Sequence, residues 1–216
     1  MFVAARMTKH PMSVSSDATI QQADRLMKKY KFHRMPVVDN GKLVGYFSDR
    51  DIMRVAPSPA TTLSKFEIRS LLDKISVKDI MREKVITVKE DATIEEAALI
   101  MYQNKVGGLP VVSEVGALVG IITATDILKT FIKVMGLIGG KTRITLEVDN
   151  KVGVMAEITK IFADNGINID SFITCRHKNN RYELVVRLDE RPEGFDDIFK
   201  ILDARGYKVV HTVKIG

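Results

Sequence analysis

Over roughly the first 135 residues the alternation of apolar and polar positions writes one pattern twice. A short apolar stretch at 11–14 is followed by Ile20, Ala23 and Met27 at helical spacing. The Pro36-Val37-Val38 run and the apolar stretch 43–47 come next, and then Ile52 and Met53 after Asp51. The same order returns as 85–88, then Ile94, Ala97 and Met101, then Pro110-Val111-Val112, the stretch 118–122, and Ile127 to Ile132. Asp17-Ala18-Thr19-Ile20 reappears as Asp91-Ala92-Thr93-Ile94 and Pro36 as Pro110, both 74 positions later, whereas Ser48 and Asp51 reappear as Thr123 and Asp126 after 75. The change of offset puts a one-residue insertion in the turn between two strands, where an insertion is tolerated. Each copy predicts a β-α-β-β-α unit, and a repeated unit of this size buries its apolar faces against its twin.

Local chemistry sharpens the boundaries. Thr19-x-x-Gln22 and Thr93-x-x-Glu96 are capping boxes that start helices, which end near Lys31 and Asn104. Asn40-Gly41 predicts a hairpin turn. Residues 57–60, rich in proline, break the pattern, and a helical stretch with a broad apolar face (Leu63, Phe66, Ile68, Leu71, Leu72) follows. After the glycine-rich stretch 136–140 the pattern changes. Ile144, Leu146 and Val148 alternate as a strand, Val154 to Phe162 fit a helix stopped by Gly166, and 169–175 pairs with 182–188 across a turn at 178–180. Phe195 to Leu202 then predict a helix and 207–213 a last strand, giving β-α-β-β-α-β, a ferredoxin-like order. The expected division is 1–55 for the first repeat, 56–76 for an inserted helical linker, 77–135 for the second repeat, 136–141 for a linker and 142–216 for a third domain, an α+β protein throughout.

Charge adds one inference. The net charge of +6 is concentrated in residues 1–140, which hold 20 basic and 15 acidic side chains. Without basic runs, such a surplus is more often a solvated surface than a nucleic-acid footprint, and an anionic small ligand would use it as well. No apolar run approaches the roughly 18 residues of a membrane span, and the first residues are too short for a signal-peptide core, so a cytoplasmic protein without membrane association is expected. Cys175 is a lone cysteine, and the four histidines (His10, His33, His177, His211) are scattered. There is no Gly-x-Ser-x-Gly, Walker loop or His-Glu-x-x-His, and neither a catalytic role, a metal site nor a cofactor is expected.

Two features carry candidate chemistry. Asp51 and Asp126 stand at strand-to-helix junctions, where a carboxylate can accept both ribose hydroxyls. Ser48 and Thr123, three residues earlier and beside helix-start amides, suit phosphate. The alternative is that both aspartates are simply helix N-caps. In the third domain Asn150 and Gly153 open a loop into a helix N-terminus whose amides could hold a carboxylate, as in amino-acid binding, or could serve a purely structural, dimer-forming fold.

The Asp-Ala-Thr-Ile starts, the Pro-Val-Val strands and the Gly45, Ser48, Asp51 and Gly120, Thr123, Asp126 signatures, in register twice, resemble a pair of CBS domains over about residues 1–135. The stretch 150–158 with 165–169 looks like an ACT domain, with Asn150 and Val152 where the usual Asp-Arg-Pro-Gly has its acid and its proline. The order is similar to the acetoin-utilisation protein B family. The resemblance implies a non-catalytic regulatory protein that senses AMP, ADP or ATP, forms a homodimer, and regulates a partner enzyme in acetoin or related carbon metabolism. The other reading is a docking subunit with empty clefts that acts by interaction alone. In nucleotide-binding CBS pairs such as the gamma subunit of AMP-activated protein kinase, a His-Arg before the Pro-Val strand reaches phosphates. Carried over, this joins His33 and Arg34 to a cleft of Asp126, Thr123 and Thr87, with Ile86 and Thr87 lining the adenine pocket. The cleft of Asp51 and Ser48 is then the poorer one, with Arg50 as a substitute donor.

Overall fold

A computed structural model of the chain describes residues 1–58, 61–176, 181–188 and 195–215; the turn expected at 178–180 and the end of the break at 57–60 lie outside them. The chain divides into two compact units, Met1–Ile127 and Leu128–Gly216. The first contains β1 (Thr8–Lys9), α1 (Ile20–Tyr30), β2 (Arg34–Asp39), β3 (Lys42–Ser48), α2 (Asp49–Val55), α3 (Lys65–Leu72), β4 (Val88–Lys89), α4 (Ile94–Asn104), β5 (Gly108–Val112), β6 (Leu118–Thr123) and the start of α5 (Ala124–Val134).

The two halves of this unit are built from the same local devices. The Thr19 and Thr93 hydroxyls accept from the amides of Gln22 (3.2 Å) and Glu96 (3.1 Å), and the Gln22 and Glu96 side chains accept from the threonine amides at 3.2 and 2.7 Å. Both capping boxes are therefore complete. Ile20, Ala23 and Met27 of α1, and Ile94, Ala97 and Met101 of α4, are the buried residues of their helices. β2 pairs antiparallel with β3 and β5 with β6, with the same irregularity at Val37/Val38 and Val111/Val112. Asn40 (φ 50) and Gly41 (φ 78) make the tight turn of the first hairpin, and the extra residue of the second falls between Val112 and Leu118. The strands expected at 11–14 and 85–88 are shorter than the apolar pattern suggests. Val14 makes a single parallel bridge to Val37, and only Val88 and Lys89 pair with β5.

The segments that open the two halves are exchanged. β1 pairs with β6 of the second half, Thr8 opposite Ile121. Val3, fully buried, joins the core of Val88, Ile94, Leu109, Val111 and Ile122, and its amide donates to the Ala92 carbonyl at 2.8 Å. The equivalent Val77, 74 positions later, is fully buried with Ile20, Met27, Met35 and Phe47 of the first half, and donates to the Ala18 carbonyl at 2.8 Å. Tyr46 and Arg82 then exchange backbone hydrogen bonds of 3.1 and 2.9 Å. Each crossing segment lays a methionine on a strand glycine: a Cβ added to Gly45 would collide with the Met81 side chain, and one added to Gly120 with Met7. Gly45→Ala is accordingly expected to cost about 1–3 kcal/mol, the usual range for overpacking, measured by urea titration.

The second unit holds β7 (Lys141–Asp149), α6 (Val154–Asp164), β8 (Ile169–Arg176), β9 (Arg181–Leu188), α7 (Phe195–Ala204) and β10 (Lys208–Ile215). Its antiparallel sheet runs β10-β7-β9-β8. Ile144, Leu146 and Val148 of β7 and Leu184, Val186 and Leu188 of β9 share one core with Ile158 and Phe162 of α6 and Ile198 and Leu202 of α7. The period of two along the strands against helical spacing in α6 and α7 is what closes this layer. The expected α+β architecture of two repeats followed by a ferredoxin-like domain is what the chain adopts.

Candidate functional site

The two strand-to-helix corners of the first unit are capping boxes of a second kind. Ser48 precedes α2, and its amide and hydroxyl donate to Asp51 Oδ2 at 2.9 and 2.7 Å. The Thr123 amide and hydroxyl donate to Asp126 Oδ2 at 2.9 and 2.6 Å. The aspartates are thus not the N-caps of their helices: Ser48 is the N-cap of α2 and Asp51 its third residue, and Asp126 stands equally three residues after Thr123. One carboxylate oxygen serves the helix start at each corner, and at Asp51 the other has a different partner.

At Asp51 that partner is guanidinium. Oδ1 lies 3.4 Å from Arg82 Nη2 and 3.6 Å from Arg54 Nη1. Asp51 is only 7% exposed. Burial works to raise its pKa, but the Ser48 hydroxyl and amide and the Arg82 guanidinium together outweigh it, and the carboxyl is held below its ordinary value. Arg82 and Arg54 are themselves well exposed, so their heads can leave the carboxylate without breaking the fold.

A cleft of about 490 Å³ opens beside this corner, lined by residues of β2, β3, α2 and the segment 82–86, together with Lys105, Val106 and Gly108. Six cationic side chains line it (Arg34, Arg50, Arg54, Arg82, Lys84 and Lys105) against two carboxylates, Asp49 and Asp51. His33 Nδ1 is 2.9 Å from Asp49 Oδ2. The Arg34 guanidinium lies close enough to Gly107 that a Cβ there would sit 3.0 Å from Nη2. Tyr46 also lines the cleft. Burial pushes its hydroxyl up to about 12, with Arg34 pulling the other way, and that oxygen is buried without a hydrogen-bond partner.

The structure groups the candidate residues differently from the sequence expectation. His33, Arg34, Ser48, Arg50, Asp51 and Ile86 line one cleft; Thr87, Thr123 and Asp126 are not part of its lining. In this cleft His33, Arg34 and Ile86 are therefore grouped with Asp51 rather than with Asp126. The reason is the exchange of the opening segments: Arg82 is bridged to Tyr46 of β3, which carries Ile86 to the corner of the first repeat. Arg54, Arg82, Lys84, Lys105 and Tyr46 went unrecognised in the sequence. Arg54 stood one helical turn after Asp51 and Tyr46 two residues before Ser48 on the same strand, signals that could have found them; Arg82 and Lys84 need the exchanged topology.

In the second unit Asn150 and Gly153 flank the turn between β7 and α6. Gly153 adopts φ 92 as the residue before α6, a conformation that favours glycine. Lys151 Nζ lies 2.8 Å from the Asp149 carboxylate and Arg181 Nε 3.7 Å from it, and the lysine pair holds that carboxyl below its usual pKa.

Comparison with known proteins places these features. The CBS-domain profile matches residues 3–58 and 77–133. The chain belongs to the CBS-domain family. Its CBS pair is followed by an ACT domain, whose profile matches residues 142–194. A CBS domain-containing protein of Dictyostelium discoideum is 33% identical over 136 residues, which are 62% of this chain and 94% of that one. The inosine-5'-monophosphate dehydrogenase of Methanocaldococcus jannaschii is 39% identical over 123 residues, 56% of this chain and only 22% of the enzyme. CBS modules of this kind therefore stand alone or form a minor part of an enzyme. Among solved structures, the CBS-pair protein CBSX2 in complex with AMP is 26% identical with a TM-score of 0.52, covering 62% of this chain and 98% of that one. The Vibrio cholerae protein AcuB, named for acetoin utilization, is 32% identical with a TM-score of 0.52, covering 63% of this chain and 94% of that one. Among the described residues no helix is long and apolar enough to cross a membrane.

Proposed function

We propose that this CBS pair binds an adenine nucleotide, AMP, ADP or ATP, in the cleft beside Asp51, and that the protein is a non-catalytic regulator whose response to the nucleotide passes to a partner enzyme. The observation that carries this reading is the charge arrangement: one oriented, ionised carboxylate among six cationic side chains. A carboxylate with one oxygen fixed by its own helix start can accept the two hydroxyls of a ribose, and the surrounding guanidinium and ammonium groups match phosphate. Ile86 and Val85 add apolar surface for a base, and the unpartnered Tyr46 hydroxyl offers a polar contact. The AMP complex of CBSX2, related to this chain in sequence and fold, supports the ligand class. Residues of the Asp126 corner belong to this reading as the weaker of two equivalent positions. The homodimer, the regulation of acetoin or related carbon metabolism, and the amino-acid site at Asn150 and Gly153 of the ACT domain complete it.

A ligand moves such a pair between arrangements only through its differential affinity for them, typically about 1–3 kcal/mol. Titration calorimetry with AMP, ADP, ATP, NAD and S-adenosylmethionine is expected to give one tightly bound adenine nucleotide per chain. Folded protein that gives no heat with any of them overturns the sensor and leaves the docking subunit. Light scattering of the same sample checks the dimer.

A further inference from the structure

Arg82 is placed to do more than add positive charge. Its backbone is fixed by two hydrogen bonds to Tyr46, while its side chain is 64% exposed and reaches Asp51 Oδ1. That oxygen is the part of the carboxylate not consumed by the Ser48 corner. A ribose that accepts Asp51 as its partner must displace the guanidinium from it.

The internal repeat shows what the fold itself requires at this place. The position equivalent to Arg82 is Thr8, 74 residues earlier. Thr8 stands opposite Ile121 as Arg82 stands opposite Tyr46, and the corner at Thr123 and Asp126 is built as at Ser48 and Asp51. The strand pairing, the methionine over glycine and the capping box all form with a threonine there. The arginine is therefore not a folding requirement but a charge added to one of two equivalent corners.

Resting on the nucleotide reading above, we propose that Arg82 sets the ligand class of the Asp51 cleft by exchanging partners: it is counter-ion to Asp51 in this structure and to the ligand's phosphate when a nucleotide binds. A phosphorylated ligand gives the displaced guanidinium a new anion, and a nucleoside does not. The cleft thus selects nucleotides over nucleosides by a cost imposed on the neutral ligand, as well as by attraction to the charged one. Arg54, at 3.6 Å on the same oxygen, assists from α2.

The test is calorimetric titration of AMP and adenosine into wild type, Arg82→Thr and Arg82→Lys. Arg82→Thr copies the residue of the other half, and its melting curve checks that the fold is kept. Wild type is expected to prefer AMP by about 30-fold or more, the scale of one or two charge-assisted hydrogen bonds. Arg82→Thr should shrink this ratio to less than about 5-fold, with weaker AMP binding and unchanged or tighter adenosine binding, and Arg82→Lys should restore part of it. If Arg82→Thr weakens both ligands by the same factor, or neither, the exchange is overturned while the nucleotide site stands. If wild type binds neither compound, the site and the exchange fall together.

Discussion

Val3→Asp is expected to remove at least about 3 kcal/mol of stability, the scale of a buried charge left without a partner. Val3 lies in the first crossing segment and is fully buried among Val88, Ile94, Leu109 and Ile122. The side chains of that cluster are all apolar, so an ionised aspartate loses its hydration there, and protonating it still leaves a hydroxyl to satisfy. The surrounding backbone makes retreat difficult. The Val3 amide is bonded to Ala92, the Ala4 amide donates to Glu90 at 3.0 Å, and the Ile94 amide donates to the Met1 carbonyl at 2.9 Å. Val77→Asp should be equally severe through the first half, because Val77 fills the equivalent place among Ile20, Met35 and Phe47. Urea titration followed by circular dichroism measures both. A midpoint within error of wild type for Val3→Asp would mean that residues 1–9 contribute nothing to the core of the second repeat.

The exchange behind that prediction also marks where sequence reading stops. The capping boxes at Thr19 and Thr93 are local, involving residues three apart, and the composition of those few residues decides them. The core positions Ile20, Ala23 and Met27 follow from helical period alone, as does the ferredoxin-like order from the alternation at Ile144, Leu146 and Val148. Which half each opening segment completes is a different kind of question. Val3 and Val77, Met7 and Met81, Thr8 and Arg82 are equivalent pairs, so a sequence that satisfies one assignment satisfies the swapped one equally well. Only the long-range pairing of β1 with β6, and of Arg82 with Tyr46, chooses between them. The grouping of His33 and Arg34 with Asp126 came from the family resemblance, although Arg34 stands opposite Ser48 within the first hairpin; the placing of Ile86 with Asp126 followed from that degeneracy. So did the silence about Arg82 and Lys84, which belong to the second repeat in sequence and to the first repeat's cleft in space. The alternative of the aspartates as N-caps is settled by a local signal instead. Ser48 and Asp51 are three apart, the spacing of a capping box, and reading the hydroxyl residue as the N-cap would have shown that the carboxylate keeps one oxygen in reserve.

Asp51→Ala is expected to weaken adenine-nucleotide binding by about 100-fold or more, two hydrogen bonds to a charged group being worth that much, while Asp126→Ala stays within about threefold. The two corners have the same geometry, so the difference comes from their neighbours. Arg50, Arg54, Arg82 and Lys84 surround Asp51, and the equivalent positions near Asp126 hold Thr125, Lys129, Thr8 and His10. Acid gives a second, ligand-free reading of the same carboxylate. Its folded pKa is depressed, so ionised Asp51 stabilises the fold fully above the unfolded aspartate value of about 3.9. That contribution is lost as pH falls through the lower, folded value. In Asp51→Ala the urea midpoint should therefore be lower than wild type near neutral pH, and the gap should close as both proteins are taken below about pH 4. A binding loss with no change in this acid limb would assign Asp51 to the ligand alone and detach it from the start of α2; a closing gap with intact binding would place the ribose elsewhere in the cleft.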